Sequence, residues 1–250
     1  RLRPSIQARR PHMNIEELTD TLARIDGRER QIIEAYLVRM RATRIVSARN
    51  DVTAMDMASA LVGLSVAHRA AEAPDAVRAF RNLRAILISE ADSEWYLPDE
   101  VIEAGDFVET LSAIIETAPE IEDAFGTIVR ETLARDPGLA LGLGGEKAAM
   151  RLTAQMFSGA YSAGALRVET TLRHSWGYGK KQRACETVFD TTWSDDDAPG
   201  KLDDQVTRRE LSVVCRLPVF LALHRALYAE APARREPSDL FAVLGRSTTA

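Results

Sequence analysis

The spacing of apolar residues changes along this chain of 250 residues, and that change constrains the fold more than any short motif does. Over most of the first 160 residues, apolar side chains recur every three or four positions, the spacing of an amphipathic helix. From Leu166 to Trp193 they alternate with polar residues, which is typical of strands with one buried face. The sequence therefore predicts a mainly α fold: a multi-helix bundle with a β-hairpin in the C-terminal half, a minor α+β part.

The helical segments begin at recognisable signals, among them a capping asparagine at Asn14 and prolines at Pro98 and Pro119. The predicted helices cover residues 15–25, 28–48, 53–73 (as one helix or two), 76–89, 98–118, 119–134 and 146–161, and a core-lining helix continues past Pro218 through the apolar positions 219–227. Residues 210–217 could form a third strand or part of a helix bent at Pro218, and helix is the favoured interpretation.

Four segments follow from this pattern. Residues 1–13 form a basic arm, either disordered or lying upstream of a start at Met13, and residues 14–137 form a helical domain. The glycine-rich stretch 138–145 is the junction. Residues 146–250 form a smaller helical part that contains the hairpin 166–193. A two-stranded ribbon is marginal alone, so we expect the hairpin to lie on helices or to gain a further strand.

Charge is segregated along the chain, although the net charge is only −5. Residues 1–84 contain 15 arginines and 10 acidic residues, a net charge of +5, whereas residues 85–129 contain 12 acidic residues and no basic one. The negative total argues against a protein coated in positive charge for bulk nucleic-acid binding. We expect the acidic helices to face a protein partner or a second subunit.

The chain contains two cysteines, Cys185 and Cys215, which make no CxxC motif. No secretory signal is recognised, so both are expected to be free thiols in a cytoplasmic protein. No apolar run reaches the length needed to span a bilayer, so no membrane association is expected.

The turn of the predicted hairpin combines cations, aromatic rings and glycines within eleven residues. Its candidate nucleic-acid-binding residues are Arg173, His174, Trp176, Tyr178, Lys180, Lys181 and Arg183. Cations attract phosphates, rings stack on bases, and glycines let a ligand approach the backbone, which together suit single-stranded nucleic acid. The alternative is a solvated hairpin whose Trp176 and Tyr178 pack on a neighbouring helix.

Other patterns carry less information. Residues 51–72 have a faint helix-turn-helix character with a turn near Gly63, but polar residues stand where that motif needs apolar ones. A zinc site made of His174, Cys185, Cys215 and His224 lacks the short ligand spacing of recognised sites. The aspartates of residues 195–204 lack the order of an EF-hand loop, and the stretch 142–147 is not a phosphate-binding Walker loop.

The familiar catalytic motifs GxSxG, HExxH and GxGxxG are missing, and the four histidines are scattered. We therefore predict no catalytic residue, no metal and no cofactor, and favour a non-enzymatic protein. The leading hypothesis is a nucleic-acid-associated binding protein or nucleoprotein-assembly subunit that uses the hairpin turn, with single-stranded nucleic acid or another acidic partner as ligand. The alternative is a helical adaptor or oligomeric assembly subunit that binds no nucleic acid, and the third hypothesis is an enzyme without a recognisable motif.

Overall fold

A computed structural model describes residues 13–48, 51–88, 97–135, 149–158, 162–171, 187–194 and 211–229. Helices dominate these residues. They are α1 (Ile15–Asp26), α2 (Arg30–Ala42), α3 (Ala54–Val66), α4 (Ala73–Asn82), α5 (Asp99–Ile102), α6 (Phe107–Arg135) and α7 (Leu217–Leu227). None of these helices is long and apolar enough to cross a bilayer.

One antiparallel sheet completes the described fold. Its strands are β1 (Arg84–Ile88), β2 (Ala149–Ser158), β3 (Ser162–Thr171), β4 (Thr187–Ser194) and β5 (Leu211–Arg216). They lie in the order β1-β4-β3-β2-β5, so the sequence neighbours β3 and β4 pair directly while β1 and β5 form the two edges of the described sheet.

Local chemistry starts and stops the first helices as the sequence indicates. The Asn14 side chain accepts hydrogen bonds from the backbone N–H groups of Glu16 and Glu17. In return, the Glu17 carboxylate accepts a hydrogen bond from the Asn14 N–H. Helix α1 ends where Gly27 adopts a left-handed conformation with φ of 78°, which glycine accepts without a steric cost. These contacts satisfy backbone groups that a helix end leaves unpaired.

Helix α3 lies at the centre of the molecule. Eleven of its 13 residues are buried, because the helix is apolar on every side and has to be covered on every side. Helices α2, α4, α6 and α7 pack around it together with strands β2 and β5. Its side chains belong to one hydrophobic cluster that also includes residues of α1, α5 and β3.

Polar contacts hold both ends of α3. The Asp56 carboxylate is buried at the N-terminal end, where it accepts hydrogen bonds from the N–H groups of Ser47 (2.6 Å) and Thr53 (3.0 Å). At the other end, Arg28 donates to the Leu64 carbonyl (2.6 Å) and the Tyr36 hydroxyl donates to the Ala67 carbonyl (3.0 Å). A helix buried this deeply can rely on little water at its ends, so these side chains supply the missing partners.

One face of the sheet packs on the helices. Leu152, Ala154 and Met156 of β2 are buried, while the alternating Thr153 and Gln155 are only half-buried. The same alternation places a second set of buried residues on the neighbouring strands: Gly164, Leu166 and Val168 of β3 and Cys215 of β5. An antiparallel sheet with one covered face follows from this period of two.

The helices approach the sheet closely at Gly164. A Cβ atom added there would lie 2.4 Å from two ring carbons of Phe107, the first residue of α6. The Phe107 ring is also in contact with the Phe80 ring of α4, at a centroid distance of 5.5 Å. Gly164 therefore lets an aromatic ring rest directly on the backbone of β3.

The structure confirms the predicted fold class, a mainly helical chain with an antiparallel hairpin in its C-terminal half. The hairpin gains both of the supports that were expected as alternatives. It packs on helices, and it is flanked by β1 on one side and β2 on the other.

Two predicted helices of the C-terminal half were wrong. Residues 149–158 form strand β2 instead of part of a helix over 146–161, because Leu152, Ala154 and Met156 point to one face in a strand. Residues 211–216 form β5, and the favoured helical interpretation of 210–217 fails; the adjacent valines Val213 and Val214 suit a strand.

The bounds of five predicted helices also need correction. The helix predicted over 76–89 ends at Asn82, and the following residues leave it to pair with β4 as β1. The helices predicted over 98–118 and 119–134 are instead the short α5 and the long α6, which continues through Pro119. The helices predicted over 28–48 and 53–73 are shorter, 30–42 and 54–66.

The contact between Gly164 and Phe107 leads to a stability prediction. We expect Gly164→Ala to lower the free energy of unfolding by about 1–3 kcal/mol, because the new methyl group overpacks a filled site. The matched control is Gly126→Ala within α6, where an added Cβ would meet only the Arg130 guanidinium at 3.5 Å. That change should stabilise the protein by about 0.5–1 kcal/mol. Urea unfolding followed by circular dichroism measures both, and equal effects would contradict the contact.

Candidate functional site

The seven candidate nucleic-acid-binding residues, 173 to 183, lie outside the described residues. The structure does describe the two strands that lead into and out of this segment. β3 and β4 pair in register from Ala163 opposite Ser194 to Thr170 opposite Thr187. The chain therefore leaves and re-enters the described sheet next to a paired position, Thr170 opposite Thr187.

The strands on either side of this segment are anchored in the sheet and on the helices. Gly164, Leu166 and Val168 are buried against the helices, with Phe107 over the first of them. Strand β3 pairs with β2 over ten residues, and β4 pairs with β1. Both strands of the hairpin are therefore interior strands of the described sheet, so the segment between them starts from a rigid base.

The opposite face of the sheet is more polar where its side chains are described. Thr153 and Gln155 of β2 are half-buried, and Val214 and Arg216 of β5 are exposed. Thr153 pairs with Arg216, and Gln155 pairs with Val214. Among the described residues, this face therefore carries two half-buried polar side chains, one exposed cation and one exposed apolar side chain.

Two members of the rejected zinc combination, Cys215 and His224, are described. Cys215 is a buried free thiol on the covered face of β5, and His224 is a half-buried residue of α7. Within the residues that the structure describes, no three His, Cys, Asp or Glu side chains come close enough to hold a metal ion. Burial, with a smaller contribution from Asp26, raises the pKa of the Cys215 thiol from its ordinary value of 9.0 to about 11. This thiol is protonated at neutral pH and is a poor nucleophile.

His224 has a structural role that the sequence reading missed. Its Nδ1 lies 2.9 Å from the carbonyl oxygen of Ile115 in α6. In an uninterrupted helix that carbonyl would accept from the N–H of the residue four positions on, which is Pro119 and has no N–H. Because a carbonyl can only accept, Nδ1 carries the proton in this bond. His224 thus replaces the donor that Pro119 lacks and lets α6 continue.

The surroundings of His224 tie α7 to α6. The imidazole lies against the Tyr228 ring at a centroid distance of 4.7 Å. Burial, and then the negative charge of Glu116, raises the pKa of the Tyr228 phenol. The cluster is therefore a packed junction between two helices, and none of its groups has the geometry of a nucleophile with its base.

The weak helix-turn-helix character of residues 51–72 does not correspond to that motif. Gly63 lies inside the single helix α3, and Met40 and Ala73 pack against it. A DNA-reading helix needs an exposed face to enter a groove, and α3 is buried on all sides.

The acidic residues cover the surface of α5 and α6. Exposed carboxylates recur along α6, and five of them are spaced so that they lie in one row on one side of the helix. They are Glu109, Glu116, Glu120, Asp123 and Glu131. This negative surface disfavours contact with a polyanion.

Comparison of the chain with protein-family models, with curated proteins and with solved structures found no match.

The role assigned to His224 can be tested with a double-mutant cycle. We expect His224→Phe, which keeps a ring beside Tyr228, to cost about 1–3 kcal/mol of unfolding free energy because the buried Ile115 carbonyl loses its donor. In a Pro119→Ala background the residue 119 N–H can bond that carbonyl, and the cost should fall by about 1 kcal/mol or more. Chemical denaturation gives the unfolding free energy of all four proteins. If His224→Phe cost the same in both backgrounds, His224 would not be replacing the donor that Pro119 lacks.

The buried thiol predicts how stability depends on pH. The pKa of Cys215 is raised in the folded state, so the unfolded chain ionises first as the pH rises. The contribution is fully present below pH 9.0 and is lost progressively towards about pH 11. We expect the wild type to lose up to about 2–3 kcal/mol more than Cys215→Ala across this range. Urea unfolding of both at a series of alkaline pH values measures the difference, and parallel curves would exclude a buried thiol.

Proposed function

We propose that this protein is a non-enzymatic binding protein that contacts single-stranded nucleic acid through the segment between β3 and β4. The observation that carries the proposal is the strand register, in which Thr170 pairs with Thr187 and holds the two ends of that segment together. The cations and rings of residues 173–183 all belong to the one connection between these two paired positions.

The composition of this segment supports an anionic, base-containing ligand. Residues 172–186 include four arginines and lysines and one acidic residue, in a chain whose net charge is −5. Phosphate contacts supply salt-sensitive affinity, and stacking on Trp176 and Tyr178 would favour unpaired bases over duplex. A free phosphate or an acidic peptide would use the cations and gain little from the rings.

The distribution of charge over the described helices argues against nucleic-acid binding on α6. The acidic row on α6 disfavours a polyanion there. The partner of that acidic surface would be a protein, which allows the chain to serve as a subunit of a nucleoprotein assembly.

The proposal is tested by fluorescence anisotropy with labelled single-stranded RNA, single-stranded DNA and duplex DNA at several salt concentrations. We expect single strands to bind more tightly than duplex, and the triple variant of Lys180, Lys181 and Arg183 to Ala to lose affinity. The slope of log K against log salt should fall by about 2, as expected for three lost phosphate contacts on a single strand. Trp176→Ala should cost about 1–3 kcal/mol of binding free energy.

The matched control removes three exposed arginines that lie far from the hairpin in sequence, Arg44, Arg69 and Arg225, and changes the net charge by the same amount. It should bind nearly as the wild type does. Equal losses in both triple variants would indicate a general charge effect. No binding to any of the three probes would refute the proposed function.

A further inference from the structure

Helix α2 has an apolar surface on the side that faces away from the core. Its inner side buries Ile33, Tyr36, Leu37 and Met40. On the outer side Val38 is 58% exposed, and Ile32, at the edge of that side, is 41% exposed. Among the described residues these are two of the three large apolar side chains that are exposed, and the third, Val214, belongs to the sheet. A single exposed apolar side chain is ordinary, but two large ones on one short helix need an explanation.

The spacing of the outer residues is that of a helix-pairing seam. Gln31, Ala35, Val38 and Ala42 are all exposed and are separated by four, three and four positions. This is the alternation of a and d positions in a heptad, which lines up along one side of a helix. At 100° per residue, Glu34 falls on one flank of this seam and Arg39 on the other.

The two charged flanks are available for contacts between chains. Glu34 and Arg39 are exposed, and neither takes part in an ion pair within the described residues. Arg41, which lies on the same flank as Glu34, is already engaged, because its guanidinium donates to the Ala48 carbonyl at 2.8 Å.

We propose that α2 pairs with α2 of a second copy of this chain, with the two helices parallel about a twofold axis. In that arrangement Ala35 and Val38 meet their own counterparts along the seam, and the alanines allow close approach of the two backbones. Glu34 then lies opposite Arg39 of the partner subunit, five residues further on, which is the separation at which flanking charges of parallel helices pair. The twofold axis forms this ion pair twice.

Charge complementarity indicates that the partner is a second copy of α2 and that the two helices run parallel. The acidic residue on one flank and the basic residue on the other, five positions apart, match when the helix meets a parallel copy of itself. In an antiparallel pair Glu34 would face Arg41, whose guanidinium is held by Ala48. The polar Gln31 at one seam position favours a single register over neighbouring ones. The seam is short, so the dimer should dissociate on dilution.

Sedimentation velocity of the full chain over a wide concentration series, without nucleic acid, tests the proposal. Val38→Glu places two carboxylates face to face across the twofold axis, and we expect the dimer dissociation constant to rise about tenfold or more. Val214→Glu makes the same change at the exposed valine of the sheet and should leave the dimer dissociation constant unchanged. Because both positions are exposed, circular dichroism should show native folding in each variant.

Charge reversal tests the direction of the pairing. Glu34→Arg and Arg39→Glu should each weaken the dimer, and the double variant should restore it, because the reversed pair is again complementary. A wild type that stays monomeric at every concentration would overturn the proposal, as would a dimer that survives Val38→Glu. Failure of the double variant to recover would overturn the parallel arrangement.

Discussion

The burial of α3 is the constraint on which the rest of this structure depends. A helix that is apolar on every side cannot lie at a surface, so other elements have to enclose it. No single segment is large enough to do this. The cover comes from helices on both sides in sequence and from strands β2 and β5, whose residues begin more than 80 positions after α3 ends. One hydrophobic cluster therefore contains residues from the N-terminal helices and from the sheet.

The position of the sheet follows from this requirement. The sheet reaches the helices through Gly164, whose missing side chain leaves room for the Phe107 ring. Strand β3 therefore packs on the Phe107 ring, and β3 and β4 each pair with a strand on both sides. The segment proposed to bind nucleic acid joins β3 and β4, which are both interior strands of the described sheet. A binding segment on a rigid base would lose less conformational freedom when it meets a ligand, which favours affinity.

Much of the helical fold could be predicted from the sequence, because its signals are local. The cap at Asn14 and the left-handed turn at Gly27 act within four residues. The failures occurred where a short pattern fits two periods: Leu152 and Met156 are four apart and suit a helix, but with Ala154 they equally suit a strand. Pairing across long sequence distances decided between them, and no local pattern records that pairing.

The candidate site shows the same limit. The alternation of residues 166–193 revealed the paired strands β3 and β4, whereas the binding role of residues 173–183 stays a prediction. The flanking strand β1, and the bond from His224 to a carbonyl 109 residues away, arise only from tertiary contacts. The sequence held one signal for the His224 bond. Pro119 lies within continuous helical spacing, and a proline there leaves a carbonyl of the preceding turn without its usual N–H donor.

The central claim is that the connection between β3 and β4 is where a nucleic acid is bound. Hydrogen exchange followed by mass spectrometry, with and without a saturating single-stranded oligonucleotide, locates the contact directly. The account predicts slower exchange in peptides that cover residues 172–186 and the adjoining ends of β3 and β4, with α5 and α6 unchanged. Protection confined to the N-terminal helices, or bound oligonucleotide without any protection of the hairpin, would contradict it.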